Sequence, residues 1–413
     1  MIKVVHINYS DTEGGASIAA FRHHEAMNIQ HFVESEMLVV NKQKKNDKSI
    51  ISIIKSRMDK IRMLLYYTFS AKMVEYSSSS TFFSFLPIGF DLSKEDCIQK
   101  ADVIYIHWVN SMTTSVKGIE KILKLKKPTY LFLHDMWSFT GGCHYSMQCN
   151  RYKDSGCYSC PVIKPFLRIN ISSLQYKMKQ RWKMYPNLHI LVPSNWLYQC
   201  AESSNLFRKH SIYLCRNTID VNFFKPHNKE FCRSFFRVKQ GKQVLIFAAA
   251  SIDNPVKGLN YLLECLNALE QEKYECLILG DRDETLSEKV NLPIHFTGYL
   301  HDSYSLVLAY NAADLLIIPS VAENFPNVVL EAMSCGTPAV GFNVGGIPEL
   351  ILHKETGYIA DDYTSKGLLK GVKWCLDWNN YYRIAKKARE TVCMNYSYDK
   401  ISNLHNFLTP QKQ

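Results

Sequence analysis

Pro319–Pro348, PSVAENFPNVVLEAMSCGTPAVGFNVGGIP, carries more of the fold than any other stretch of this chain. Leu315–Ile318, just before it, has the length and composition of a buried strand. Pro326 suits a helix start, where a missing N–H costs nothing. Val328, Val329, Ala332 and Met333 keep helical spacing, and Gly336 with Pro338 behind it ends the run. The segment reads strand, loop, helix, strand, with Glu323 on the loop and Glu331 inside the helix. At ~1.5 Å rise per residue the two carboxylates stand at most roughly 12 Å apart. The amides of Asn327 and Val328 at the helix start suit an anion such as a diphosphate. Two glutamates at this spacing also fit a helix cap and a solvated face, so spacing alone leaves both readings open.

Outward from this segment the alternation continues. The second half predicts strands at Val244–Ala250, Glu275–Leu279, Ile294–Thr297, Leu315–Pro319 and Ala339–Phe342. Helices are expected at Leu259–Glu270, Tyr304–Ala312, Asn327–Cys335 and Pro348–Leu352. The first half predicts strands at Lys3–Asn8, Asp102–Trp108, Thr129–His134, Leu188–Pro193 and Ser211–Cys215. A Gly14-Gly15 turn and a helix over Ala16–Ile29 follow the first of them. Strands apolar nearly throughout are those of parallel sheets covered on both faces. Two such arrays predict an α/β protein with two Rossmann-like domains, 1–217 and 218–390, and a site in the cleft between them.

Of 413 residues, 46% are hydrophobic and 21% charged, which excludes a disordered chain. No apolar run approaches the roughly 18–20 residues of a membrane span. The opening MIKVVHINYS has no apolar segment followed by a cleavage site, so a cytoplasmic protein with reduced thiols is expected. Residues 1–220 hold 29 Lys+Arg against 17 Asp+Glu, so the whole net charge of +11 resides in the first half. Such a face attracts anionic lipid, nucleic acid or phosphorylated substrates. No nucleic-acid recognition motif accompanies it, so no nucleic-acid partner is expected. Ser49–Phe69 combines Ile50, Ile53, Ile54, Met58, Ile61, Leu64 and Leu65 with Lys55, Arg57, Lys60 and Arg62, the spacing of an amphipathic helix. Such a helix packs on its own domain or lies on an anionic membrane surface.

Most of the 13 cysteines are scattered singly, but Thr140–Pro161 spaces Cys143, Cys149, Cys157 and Cys160 as C-x5-C-x7-C-x2-C. Four close thiols in a reducing compartment suit a structural zinc, with His144 as a substitute ligand. A redox pair and unliganded thiols are the alternatives. His107 and Asn110, at a strand end, are either structural or face the site.

Glu323, Glu331, Ala332–Pro338 and Gly345–Glu349 together resemble the donor-site signature of the family-4 retaining glycosyltransferases of GT-B fold. Ser194–Trp196, Arg216–Pro226, Lys257-Gly258, Gly280-Asp281, Gly14-Gly15 and His134-Asp135 match further elements of that family in the same order. The resemblance implies transfer of a sugar from a nucleotide-diphosphate donor (UDP or GDP) with retention and no catalytic metal. It assigns Glu331 to the ribose hydroxyls and Glu323 to the sugar hydroxyls. Main-chain amides of Asn324, Phe325, Pro326-flanked Asn327 and Val328 would serve sugar and phosphate. Lys257 would neutralise the departing diphosphate, and His134 would contact the sugar. Gly14 and Gly15 would approach the phosphates, and Tyr299 and Leu300 would hold the base. Gly280 ends a strand of the donor domain.

One departure stands out. Many relatives carry an Arg after the first strand of the second domain, where this chain has Ala249-Ala250-Ser251-Ile252 and no Arg before Arg282. Ser251 brings a hydrogen bond without charge, which keeps an inactive nucleotide-sugar-binding subunit as one alternative reading; a GT-B epimerase, which shares the fold, is another. The His134–Trp137 and Thr140–Cys160 run resembles the colanic-acid and capsule branch, which implies a glycan acceptor linked to a lipid diphosphate at the inner-membrane surface. The final residues, 391–413, are expected to return to the first domain as a helix.

Overall fold

The computed structural model describes the chain apart from residues 31, 76–81, 155, 159, 164–170, 250, 253, 282 and 405–413. It divides into two units, Met1–Asn217 with the residues from Ile401 on, and Thr218–Lys400. Unit one holds seven strands: β1 (Ile2–Ser10), β2 (Val33–Asn41), β3 (Ile50–Ser52), β4 (Val103–Ile106), β5 (Thr129–Phe132), β6 (Leu188–Val192) and β7 (Ile212–Leu214). They form one sheet in the order β3-β2-β1-β4-β5-β6-β7, and all neighbours are parallel. Every residue of β4 and β5 is buried, which is why these runs show no polar alternation.

Unit two repeats the plan with β8 (Gln243–Ala248), β9 (Tyr274–Leu279), β10 (Ile294–Gly298), β11 (Leu315–Ile318), β12 (Ala339–Phe342) and β13 (Gly357–Ala360). Their order is β10-β9-β8-β11-β12-β13, again wholly parallel. In each sheet the chain moves outward in one direction and then restarts beside the first strand. The crevice at that reversal, at the carboxyl ends of the strands, is where doubly wound sheets bind ligands. The reversal falls between β1 and β4 in unit one, and between β8 and β11 in unit two.

All ten expected strands form, with ends shifted by one or two residues. Three were not anticipated. β2 opens with Glu34 and Glu36 among its apolar positions, β3 is a three-residue edge, and β13 begins on Gly357. The segment expected as one helix over 49–69 divides: Ile50–Ser52 pairs with Met37–Val39, and the helix spans Arg57–Glu75. Ser56 and Asp59 start it reciprocally. The Asp59 carboxylate accepts from Ser56 N–H at 2.9 Å, and Asp59 N–H donates to Ser56 Oγ at 3.1 Å. Met58, Ile61, Leu64 and Leu65 on this helix are 50–64% exposed, whereas Asp59, Met63 and Tyr66 face inward.

Thr391–Asn395 is the last turn of the helix Trp378–Asn395, whose Ala388 and Val392 pack in the unit-two core beside Leu330 and Met333. Arg389 fastens that helix, donating to the carbonyls of Val221, Phe224 and Ser334 at 2.7 Å each. The stretch expected to leave for the first domain at 391 therefore stays with unit two as far as Lys400. From Ile401 the chain belongs to unit one, as expected, and residues 405–413 of that expectation lie outside the described residues. Among the described residues no helix is long and apolar enough to cross a membrane.

Candidate active site

At the unit-two reversal, the loops after β8 and β11 are locked together by their backbones. Asn254 caps the single turn Pro255–Lys257 by accepting from Val256 N–H, and Val256 C=O accepts from Val321 N–H at 2.9 Å. Gly258 follows at φ +72°, where a Cβ would stand 2.0 Å from the Pro319 carbonyl oxygen. Only glycine permits this approach. The result is a short ion pair, Lys257 Nζ to Glu323 Oε2 at 2.6 Å, with side chains 31% and 12% exposed. The turn after β12 clamps Glu323 from the other side. Gly346 N–H donates to the Glu323 carbonyl at 3.3 Å, and a Cβ on Gly345, at φ +56°, would lie 1.6 Å from that same oxygen.

Glu331 is buried in the helix Asn327–Ser334. A buried carboxylate needs hydrogen bonds to offset lost hydration. Tyr310, on the helix Ser303–Ala312, donates one from its hydroxyl to Oε2 at 2.7 Å. Phe325 anchors the loop in the core and meets the Tyr396 ring edge-on at 5.7 Å. Pro326 stands at the N-cap, Asn324 and Asn327 are buried, and Val328 is half-buried. The segment thus combines an ammonium, two carboxylates and a helix start, a set able to hold a diphosphate between hydroxyl-bearing ends.

The remaining expected positions lie at the ends of neighbouring strands. Ser251 is exposed in the turn after β8, and Gly280 N–H donates to the Gly298 carbonyl at 3.2 Å. Tyr299, 40% exposed, and half-buried Leu300 follow β10. Arg282 lies outside the described residues. Tyr310 and the Gly345-Gly346 clamp escaped the sequence reading, although the glycine pair was visible in it.

In unit one the strand ends carry imidazoles. Gly14 and Gly15 start the helix Gly15–Asn28 after β1, and a Cβ on either would meet no heavy atom within 4 Å. His134 follows β5, and its Nε2 is 3.0 Å from Nδ1 of buried His107. Burial lowers the His134 pKa to about 4 despite the neighbouring Asp135, leaving it neutral near pH 7. Burial opposes the charge of Asp135, but His144 at 2.5 Å and the Trp137 amide hold its carboxyl below the usual range.

The structure lends the zinc expectation no support. His144 has both ring nitrogens engaged, Nδ1 with Asp135 and Nε2 with Ser84 Oγ at 2.9 Å. Cys143, Cys157 and Cys160 are buried, and burial raises each thiol pKa, opposing the thiolate that a metal requires. Cys149 is less buried. Among the described residues, no three His, Cys, Asp or Glu side chains come together to hold a metal ion. Cys143 and Cys160 pack with Val162 and Ile163 as small hydrophobes, and Cys157 joins the main unit-one core.

Two units, each a parallel doubly wound sheet, are the architecture of the GT-B class. The family model described as Glycosyl transferases group 1 matches residues 242–377. An uncharacterized glycosyltransferase of Methanocaldococcus jannaschii is 30% identical over 342 residues, covering 77% of this chain and 86% of that protein. The chain belongs to the group 1 glycosyltransferases. It is also 24% identical over 265 residues to a putative colanic acid biosynthesis glycosyl transferase of Escherichia coli K12, covering 62% of each. Its fold is similar to that of HepE from Anabaena, solved in complex with UDP-glucose. The TM-score is 0.65 at 14% identity, over 99% of both chains.

Proposed function

We propose that this glycosyltransferase takes its sugar from a UDP- or GDP-linked donor and transfers it with retention of configuration, without a catalytic metal. The Lys257–Glu323 pair at the unit-two reversal carries the reading. A departing diphosphate needs a counter-charge, and an ammonium beside a helix start supplies it where other enzymes use a metal ion. As the phosphates draw Lys257 away, Glu323 turns to the sugar hydroxyls. Glu331 takes the ribose hydroxyls, Asn324, Phe325, Asn327 and Val328 offer main-chain N–H groups around Pro326, and Tyr299 and Leu300 hold the base. Unit one contributes Gly14, Gly15 and His134. Ser251 stands where relatives place an Arg, so Lys257 carries the leaving-group charge. UDP-glucose on HepE supports the nucleotide-sugar class.

The acceptor in this reading is a glycan, probed best as a lipid-diphosphate-linked oligosaccharide of bacterial exopolysaccharide, capsule or O-antigen assembly, met at the cytoplasmic face of the inner membrane. The colanic-acid relative supports it. So does the helix Arg57–Glu75, which turns Met58, Ile61 and Leu65 outward with Lys60 and Arg62 on its flanks.

A panel of UDP-, GDP- and dTDP-sugars, scored by calorimetry and by hydrolysis without acceptor, tests the donor half. Binding of a UDP- or GDP-sugar with slow hydrolysis, insensitive to chelator and releasing the retained anomer, is expected. No binding to any of them overturns the reading. Co-sedimentation with phosphatidylglycerol vesicles, lost on Ile61→Asp with Leu65→Asp, tests the membrane half. Equal recovery with neutral phosphatidylcholine overturns it.

A further inference from the structure

A hollow of about 320 Å³ opens at the amino ends of β6 and β7, the last two strands of the unit-one sheet. Because the sheet is parallel, this hollow and the loops carrying Gly14 and His134 lie at opposite ends of it. The chain entering β6 and the turn before β7 build its walls. They present Lys183, His189, Arg208, Lys209 and His210, and no Asp or Glu lines them. The positive excess of the first half of the sequence has one of its concentrations here.

The walls are held from behind. Asn205 N–H donates to the Tyr152 carbonyl at 3.0 Å, and its side-chain amide donates to the Asp154 carbonyl. Its Oδ1 accepts from Lys183 Nζ at 2.7 Å, which uses one of the three N–H groups of that ammonium. Ser204 shapes the turn, accepting from Phe207 N–H on its Oγ at 3.0 Å and from Arg208 N–H on its carbonyl at 3.1 Å. Among the described residues, none of Lys183, Arg208 and Lys209 has an ion-pair partner. Tyr185 on the rim donates to Glu120 at 3.1 Å, but Arg181 at 3.1 Å and Lys124 at 3.5 Å already hold that carboxylate. The cations therefore press on one another. Burial, then Arg208 and Lys209, lower the Lys183 pKa. Burial lowers that of His210 against a hydrogen bond to the Trp182 backbone, and His189 and Lys183 lower it further.

We propose that this hollow binds a multiply charged phosphate group of a soluble small molecule, held between Lys183 and Arg208 with Lys209 at the rim. A guanidinium offers paired N–H groups and an ammonium a point charge, and a tetrahedral oxyanion accepts from both at once. The volume falls at the lower end of the ~300–1,000 Å³ of small-molecule pockets, which leaves room for more than a bare phosphate. The amphipathic helix Arg57–Glu75 meets the other end of the sheet, where the Tyr67 and Tyr9 hydroxyls are 2.8 Å apart. A bilayer under that helix does not face the hollow, which favours a soluble phosphate over a lipid headgroup. No group of the donor site in unit two takes part.

The experiment titrates full-length protein, labelled with 15N in the histidine rings, with pyrophosphate at fixed pH and about 0.15 M sodium chloride. The His189 and His210 signals are assigned by difference against His189→Gln and His210→Gln. Both are expected to move together and to saturate with a Kd below about 1 mM. Lys183→Gln combined with Arg208→Gln should weaken that Kd about tenfold, two partly exposed charges having been lost, with turnover unchanged. No movement of either histidine up to about 10 mM pyrophosphate overturns the proposal, whether or not the double variant folds. Equal movement with added chloride at the same ionic strength is charge screening and overturns it as well. So does an unchanged Kd in the folded double variant. Movement with phosphatidylglycerol vesicles and none with pyrophosphate assigns the hollow to a lipid headgroup and overturns the soluble source.

Discussion

Unit two brings an ammonium and a carboxylate within 2.6 Å at its sheet reversal, and unit one brings neutral imidazoles to the equivalent place. The same strand order therefore presents two different electrostatic surfaces. The difference follows from burial. Lys257 and Glu323 sit on loops that keep contact with water and can stay charged, whereas His6 and His107 lie inside the sheet, where an imidazolium would lose its hydration. In the proposed reaction each suits its part. Negative charge gathers on a leaving diphosphate and calls for a cation. A neutral imidazole beside a sugar does not oppose positive charge developing at the ring.

The comparison is broken most directly by removing charge from unit two. Glu323→Ala and Lys257→Ala should each lower kcat by about 10²–10³. Nucleotide affinity should stay near native in Glu323→Ala and weaken in Lys257→Ala. Native turnover in both variants would remove the functional asymmetry between the units. Strain in the clamp comes next: Gly345→Ala forces a Cβ to within 1.6 Å of the Glu323 carbonyl at φ +56°. It should cost about 1–3 kcal/mol in denaturant unfolding of unit two, with turnover falling as Glu323 shifts.

Acid sharpens the contrast from the other side. Burial lowers His23 to about 3 and His24 and His134 to about 4, and all three belong to unit one. Between those values and the unfolded value near 6.5, the unfolded chain binds more protons, so stability rises with pH. It is fully present above pH ~6.5 and declines toward pH ~4, by an order of 3 kcal/mol per fully buried histidine. Hydrogen exchange at pH 5 should open unit one before unit two. The reverse order would contradict the burial argument. The smallest effect concerns the buried carboxylate. Glu331→Ala should weaken nucleotide binding about tenfold, and Tyr310→Phe, which removes one hydrogen bond worth about 1 kcal/mol, by about fivefold. Calorimetry with the cognate nucleotide checks both.

Much of this was legible in the chain itself. Unbroken apolar runs such as Leu315–Ile318 announce parallel strands because burial on both faces leaves no position for alternation. Pro326 and Gly336 mark the start and stop of a helix because their backbone chemistry is local. Strands with exposed or very short faces, β2 and β3, gave no such signal, and Ser56–Asp59 moved the expected helix start by a capping exchange. Four cysteines suggested a metal, since sequence counts ligands but not the partners that engage them. Asp135 and Ser84 occupy His144, and burial holds the thiols protonated.

What sequence determined, then, was the local grammar: strand, turn, helix and the residue types at strand ends. Which of those ends meet was decided by the tertiary structure. The Lys257–Glu323 pair spans 66 residues, and the His6–His107 link spans 101. Both exist because parallel pairing sets distant strands side by side, and contacts across a sheet follow strand order and not sequence order.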